Sequence, residues 1–182
     1  MRKLTMPELR RLSVEEFKLS EKLPLVVVLD NIRSQNNIGS VFRTADAFRL
    51  SGVYLCGITA TPPHREIHKT ALGATESVDW VYYPTTMEAV KELHSQGYTV
   101  LAVEQTEASI KLPDYHPVKG DKLAVIFGNE VNGIDEDVLP LVTNSIEIPQ
   151  FGTKHSINVS VAVGIVIWDI FGKITDFERT AR

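Results

Sequence analysis

The chain lacks several features that mark particular classes of protein. Its 182 residues include a single cysteine, Cys56, so no disulfide can form within the chain, which is typical of a reducing compartment. The longest apolar run, residues 159–168, is interrupted by Ser160 and Gly164 and is too short to span a bilayer. No signal-peptide core follows the basic first residues, because glutamates interrupt that segment. These absences predict a cytoplasmic protein that does not associate with membranes.

Several motifs of common enzymes are also missing. The chain has neither the three-glycine fingerprint of dinucleotide-binding folds nor a phosphate loop, and it contains nothing that resembles a Ser/His/Asp triad. His64 and His68 are four residues apart, like helical metal ligands, but no matching third ligand accompanies them. We therefore expect no metal site, and a nicotinamide-dependent oxidoreductase is disfavoured.

The overall charge gives no general attraction to nucleic acid, because the formal net charge is −4. Attraction also depends on where charges cluster, however. Each basic residue alone is typical of solvated surface, but six lie in or beside polar turns and together predict an anion-binding face: Arg33, Arg43, Arg49, Arg65, Lys69 and Lys154.

The hydrophobic pattern alternates between strands and helices, which predicts an α/β fold with a mostly parallel sheet covered by helices on both faces. Predicted strands span residues 25–29, 52–57, 78–83, 99–103, 123–127 and 145–148. Predicted helices span residues 37–48, 87–96, 135–142 and about 156–171. Residues 1–22 form a short helical extension, in which Ser13 and Glu16 make a capping box, and residues 23–182 form the one domain.

Three polar segments follow predicted strands: residues 31–39, which lead to Arg43, residues 128–133, and residues 148–160. The carboxyl ends of parallel strands meet at one edge of a sheet, where open α/β folds bind ligands. The three segments therefore predict one site assembled from distant parts of the chain.

Individual residues of these segments leave two interpretations open. Gly128 either belongs to an ordinary turn or allows a ligand to approach the backbone closely. Ser156 is a plausible cap for the last helix. We expect Arg43 to point inward from an apolar helix and to converge with Asn37 only if Asn37 lies in the preceding loop.

The three segments resemble the motifs of the SpoU/TrmH group of RNA ribose 2′-O-methyltransferases, in the SPOUT superfamily. The first motif is matched by residues 37–39 with 43–45, the second by 126–130 with 133–134, and the third by 148–149 with 156–162. The resemblance covers about residues 25–170 and departs from the common pattern mildly, at Asn129 and Ile157.

This resemblance implies an enzyme that binds S-adenosylmethionine in a C-terminal trefoil knot, acts on RNA, and works as a homodimer with active sites at the subunit interface. Carried over by position, the catalytic residues are Asn37, Arg43, Glu130, Ser156 and Asn158. The cofactor is held by backbone around Glu104, Gly128, Ile148 and Ile157. The RNA-binding candidates are Arg33, Arg65, Lys69 and Lys154.

For the reaction we expect Arg43 to stabilise the developing alkoxide and to pair with RNA phosphate, since a guanidinium is normally always charged. Asn37 and Ser156 would orient the ribose, while Glu130 and Asn158 would order the loops. The segment 148–168 favours transfer RNA over ribosomal RNA. The alternatives are a non-catalytic RNA-binding or assembly factor on the same fold and a methyltransferase that acts on a base.

Overall fold

Seven parallel strands form one sheet in the computed structural model of the protein, which describes residues 1–5, 7–118 and 120–175. In chain order the strands are β1 (Leu23–Asp30), β2 (Leu50–Cys56), β3 (Trp80–Tyr83), β4 (Tyr98–Val103), β5 (Ile110–Lys111), β6 (Lys122–Phe127) and β7 (Asn144–Glu147). Their order across the sheet is β3-β2-β1-β6-β4-β7-β5.

Six helices accompany the sheet in the described part of the chain. They are α1 (Val14–Leu19), α2 (Gln35–Ala47), α3 (Arg65–Ala71), α4 (Ala74–Ser77), α5 (Thr86–Ser95) and α6 (Val159–Thr175). Short 3-10 turns lie at Pro7–Leu9, Leu112–Asp114 and Leu139–Leu141. The predicted α/β fold with a parallel sheet is confirmed, and the trefoil knot stays a prediction.

The central strands are continuous apolar runs because helices cover both faces of the sheet. Alternate residues of β1 divide between two buried clusters: Val27 and Leu29 pack with α2, α3 and α6, whereas Val26 and Val28 pack with α5. Cys56, at the end of β2, lies in the second cluster, as expected for a core residue. Burial raises the pKa of its thiol to about 12, so the thiol stays protonated at neutral pH.

Among the described residues of the N-terminal segment, one side chain is buried in the core. The capping box is confirmed, since the Ser13 side chain accepts a hydrogen bond from the Glu16 backbone and the Glu16 carboxylate accepts one from Ser13 N. Phe17 on α1 is buried in the cluster that contains α2 and α6. The division of the chain at residues 22 and 23 stays a prediction.

The prediction of a helix over residues 135–142 is wrong. Only a 3-10 turn at Leu139–Leu141 forms there, within a stretch of turns and bends. Pro140 has no N–H to donate within an α-helix, and the backbone N–H of Asp135 is bonded to the Asp30 carboxylate instead. Strand β5 and the helix α4 were not predicted, because segments of two and four residues carry no periodic pattern.

No helix in the described residues combines the length and the apolar character that crossing a membrane requires.

Candidate functional site

A cavity of about 430 Å³ lies at the carboxyl ends of β4, β6 and β7, against the segment that leads into α6. This is the edge at which parallel α/β sheets bind ligands, and the volume falls in the range of small-molecule sites. All four of the residues predicted to hold the cofactor line it: Glu104, Gly128, Ile148 and Ile157. Two predicted catalytic residues, Glu130 and Ser156, also line it.

Three side chains from the three polar segments meet beside this cavity. The Asn37 Nδ2 atom donates to Glu130 Oε1 over 2.9 Å, and Asn158 Nδ2 donates to Asn37 Oδ1 over 3.3 Å. The residues are 93 and 121 positions apart in the chain. We name this group, Asn37, Glu130 and Asn158, the amide–carboxylate cluster. The predicted convergence of the three segments is thus observed.

Asn37 uses both polar side-chain atoms inside the cluster. It lies in the first turn of α2, whose cap is Ser34, and not in the preceding loop. Its amide group therefore orders the surrounding segments, which is the task that we expected of Glu130 and Asn158 alone.

Asn158 also begins the last helix. Its Oδ1 atom accepts hydrogen bonds from Ser160 N and Ser160 Oγ, and its carbonyl accepts from Ala162 N. These are the bonds of a helix N-cap. The prediction that Ser156 is the cap is therefore wrong: Ser156 is exposed, lies three residues before α6, and lines the cavity.

The turn after β6 explains why Gly128 is glycine. A Cβ atom at Gly128 would lie 2.0 Å from the carbonyl carbon of Gly133 and 2.2 Å from Ile134 N. Asn129 and Gly133 exchange two backbone hydrogen bonds of 3.0 Å, which fold residues 128–134 back on themselves. The contacts within the turn are sufficient to require glycine at this position, which supports the turn interpretation, and close approach of a ligand to Gly128 stays a prediction.

Two carboxylates fix the returning arm of this turn. Glu104, at the end of β4, accepts a hydrogen bond from Ile134 N over 3.2 Å, and Asp30, at the end of β1, accepts one from Asp135 N over 2.8 Å. Asp30 is fully buried and also accepts from Thr86 Oγ1 and Asn31 Nδ2. Our sequence reasoning missed Asp30, although a carboxylate at the end of an apolar run is unusual enough to be a signal.

The cavity wall contains both acidic and apolar residues. Four glutamates line it: Glu104, Glu130, Glu136 and Glu147. The apolar lining includes Phe127, Leu139, Ile148, Ile157 and Val159. Such a wall suits a cationic ligand with a flat apolar part and repels the phosphates of RNA.

Arg43 does not point into this cavity. It is exposed, contrary to the inward orientation that we expected, and it lines a separate hollow with Ser40 and Lys69. Arg43 is six positions after Asn37, which is about 9 Å along α2 and about 120° around it. Because Asn37 is helical, the convergence of the two side chains within one chain is excluded.

The RNA-binding candidates lie on different surfaces. Arg33 lines a hollow that shares Asn129 and Gly133 with the main cavity, whereas Arg65 lines a cavity near β3. Lys69 lies beside Arg43 and forms an exposed ion pair with Glu66 over 3.8 Å. Lys154 is exposed in the segment before α6.

Among the described residues, no three histidine, cysteine, aspartate or glutamate side chains form a group that could hold a metal ion. His64 and His68, which have the spacing of metal ligands, are therefore not part of such a group. His64 instead caps α3, where its Nδ1 atom accepts from Glu66 N.

Comparison with known proteins places this geometry in a family. Residues 24–168 match the model of the SpoU rRNA Methylase family. A Thermus thermophilus tRNA (guanosine(18)-2′-O)-methyltransferase is 32% identical over 166 residues, which cover 89% of this chain and 81% of the relative. A Staphylococcus aureus protein assigned to the TrmH family of tRNA/rRNA methyltransferases is 29% identical over 164 residues, 90% of this chain. The chain spans only 64% of the length of that relative.

A solved structure shares the fold. The AdoMet-bound rRNA methyltransferase of Sinorhizobium meliloti superposes with a TM-score of 0.76 at 25% identity, covering 82% of this chain and 56% of that one. Together with the family match over most of the chain, this shows that the protein belongs to the SpoU family of RNA methyltransferases.

Proposed function

We propose that the protein transfers the methyl group of S-adenosylmethionine to the 2′-hydroxyl of a ribose in RNA. The observation that carries this proposal is the amide–carboxylate cluster, which joins the three family motifs at the rim of the acidic cavity.

The cavity suits S-adenosylmethionine in charge and in shape. The cofactor would supply a methyl carbon activated by a sulfonium cation, and the four carboxylates of the wall complement a positive ligand. Ile148 and Ile157 lie in the apolar part of the wall, where a flat adenine ring can be buried. Pro149 prevents β7 from pairing further with its neighbours, because proline has no N–H to donate to an adjacent strand.

Ser156 and Arg43 are the groups that we assign to the ribose and to RNA. Ser156 is exposed at the cavity wall, and no described residue forms a hydrogen bond with its hydroxyl. Arg43 stays positively charged and is therefore suited to stabilising the alkoxide that forms as the 2′-hydroxyl attacks, and to binding an adjacent phosphate. Asn37, Glu130 and Asn158 act as positioning residues.

We further propose that the protein is a homodimer and that Arg43 serves the cavity of the partner subunit. Helix α6 exposes an apolar stripe, Val161, Ile165 and Trp168, whose exposed fractions are 51%, 38% and 54%. These residues are spaced at i, i+4 and i+7, so they lie on one face of the helix. Helix α2, which carries Arg43, packs beside α6 through Phe48, whose ring centroid is 6.0 Å from that of Trp168. A dimer that covers the stripe would bring Arg43 close to the partner.

Transfer RNA is the substrate that we favour. The support is the segment 148–168 and the relative named for guanosine 18 of transfer RNA. Ribosomal RNA is the alternative outcome of the test below.

The test uses RNA from cells that lack the protein. We expect the purified protein and isotopically labelled S-adenosylmethionine to produce a 2′-O-methyl nucleoside, identified by mass spectrometry and mapped to a transfer-RNA fragment. The variant Asn158→Ala should lose most of this activity, whereas Lys91→Ala, an exposed lysine on α5, should retain it. If the protein binds RNA but neither binds S-adenosylmethionine by calorimetry nor forms the nucleoside, it is a non-catalytic RNA-binding factor.

A further inference from the structure

A second cavity, of about 570 Å³, lies between the start of α3 and the edge strand β3, away from the site described above. Trp80 on β3 and Arg65 and His68 on α3 line it. Trp80 is 37% exposed although it is an aromatic residue. Exposed tryptophan in a concave site is a frequent feature of ligand-binding surfaces.

Trp80 is part of an aromatic strip on β3. Tyr82 is two residues further along the strand and therefore points to the same face of the sheet, and it is 44% exposed. Its hydroxyl donates to the Gly57 carbonyl over 3.0 Å, which fixes the ring at the end of β2. The adjacent residue, Ile58, lines the hollow of Arg33, which borders the main cavity. Tyr82 and the segment at Gly57 and Ile58 thus link β3 to the hollow that borders the main cavity.

The lining of the second cavity includes a cation that can bind an anionic ligand. No described residue forms an ion pair or a hydrogen bond with the Arg65 guanidinium, so this cation is available to a ligand. The carboxylate of Glu76 also lines the cavity, and the neighbouring Glu66 is paired with Lys69. An arginine without a partner among the described residues, in one cavity with a tryptophan, is a combination that matches a nucleotide: a base can stack on the indole, and its phosphate can bind the guanidinium.

We propose that this second cavity binds an unpaired nucleotide of the RNA substrate, with its base stacked on Trp80 and its phosphate bound by Arg65. The inference rests on the proposed function, because it assigns a capture site to the same RNA. It explains how a chain with a net charge of −4 binds RNA: stacking supplies affinity that does not depend on the overall charge.

The test measures binding of a fluorescein-labelled single-stranded oligoribonucleotide and of the matching duplex by fluorescence anisotropy. We expect Trp80→Ala to weaken binding of the single strand by about tenfold, since stacking of one base contributes on that scale, and to change duplex binding little. Trp80→Phe keeps an aromatic face and should restore most of the affinity. Arg65→Ala should reduce the salt dependence of binding by about one phosphate contact.

Two controls separate this site from the rest of the protein. Lys91→Ala removes an exposed cation from α5, on the opposite face of the sheet, and should leave RNA binding unchanged. The affinity for S-adenosylmethionine, measured by calorimetry, should be equal in all these variants, which also shows that they are folded.

Single-strand binding by Trp80→Ala equal to that of the parent protein would overturn the capture site, and so would failure of the parent protein to bind the oligoribonucleotide. In either case, methylation of RNA from cells that lack the protein decides the proposed function separately. If Trp80→Ala keeps RNA binding but loses the binding of a protein at β3, the ligand of the second cavity is a polypeptide and not a nucleotide.

Discussion

Gly128 stands where the chain leaves β6 and meets its own returning backbone. Any side chain there collides with Gly133 and Ile134, both backbone neighbours that cannot rotate away. We expect Gly128→Ala to lower the free energy of unfolding by about 1–3 kcal/mol, the usual cost of forcing extra volume into a packed site, as measured by urea denaturation.

The matched control is Gly152→Ala, because a Cβ atom at Gly152 has nothing within 4 Å. This variant should have the stability of the parent protein. Equal stability of Gly128→Ala would show that the turn relaxes freely, and that ligand contact is the reason for glycine at this position.

Asn158 has two separable tasks at the start of α6. Its Oδ1 atom caps the helix, and its Nδ2 atom donates to Asn37. Asn158→Asp keeps the acceptor, and its charge is favourable at a helix N-terminus, but it removes the donor. We expect this variant to keep more of the parent stability than Asn158→Ala does, because the cap is retained, and to lose about tenfold in methyl transfer, because the bond that positions Asn37 is lost.

Asn158→Ala removes both tasks and should lose activity together with about 1 kcal/mol of stability, the usual contribution of an N-cap. If Asn158→Asp were fully active, the bond to Asn37 would have no part in the reaction.

At the scale of elements, the turn 128–134 is held by the strands on either side of it. The Asp30 carboxylate accepts three hydrogen bonds, from Asn31 Nδ2, Thr86 Oγ1 and Asp135 N, at 2.9, 2.5 and 2.8 Å. An asparagine can accept at only one of the two oxygen positions, so in Asp30→Asn the new amide N–H group faces either Asp135 N or Asn31 Nδ2, both of which can only donate. We expect a loss of about 2 kcal/mol in the free energy of unfolding and faster hydrogen exchange at the Asp135 amide.

The control for this prediction is Glu107→Gln, which neutralises an exposed carboxylate in the segment after β4. This variant should change neither the free energy of unfolding nor the hydrogen exchange at the Asp135 amide. Unchanged exchange at Asp135 in Asp30→Asn would mean that Glu104 alone holds the turn.

The sequence predicted the long elements well, and the reason is physical. Runs such as residues 25–29 are apolar throughout because both faces of the sheet are covered, and that pattern is local. The three polar segments were predicted to meet because parallel strands present their carboxyl ends at one edge, and the bond between Asn37 and Glu130 confirms the meeting.

The orientation of Arg43 could not be predicted in the same way. Helix α2 begins at Gln35, two residues before the predicted start, so Asn37 lies within its first turn and not at the junction with the preceding loop, and this sets the direction in which it faces relative to Arg43. The turn contacts of Gly128 and the three donors to Asp30 depend on residues far apart in the chain, so no local pattern records them.

At the scale of the whole molecule, the apolar stripe on α6 predicts self-association. The double variant Val161→Glu, Ile165→Glu places two charges on the face of α6 that is exposed in the single chain. Each subunit should therefore stay folded. We expect sedimentation to change from dimer to monomer, with loss of methyl transfer. Leu19→Glu, which alters an exposed leucine on α1, should remain dimeric. A parent protein that is monomeric at all concentrations would contradict the dimer.

A dimer with shared sites makes a sharper prediction than a dimer alone. Arg43 lines a hollow separate from the main cavity, whereas Asn158 of the same chain is bonded to Asn37 in the amide–carboxylate cluster, so each reaction site would take Arg43 from one subunit and Asn158 from the other. Arg43→Ala and Asn158→Ala should each be inactive by themselves. The two variants are then unfolded together and refolded as a mixture. Half of the resulting dimers contain one chain of each variant, and each of these mixed dimers has one intact site out of two. About a quarter of the parent activity should therefore return. Sites contained within single subunits would give no recovery, because every chain in the mixture carries one of the two lesions.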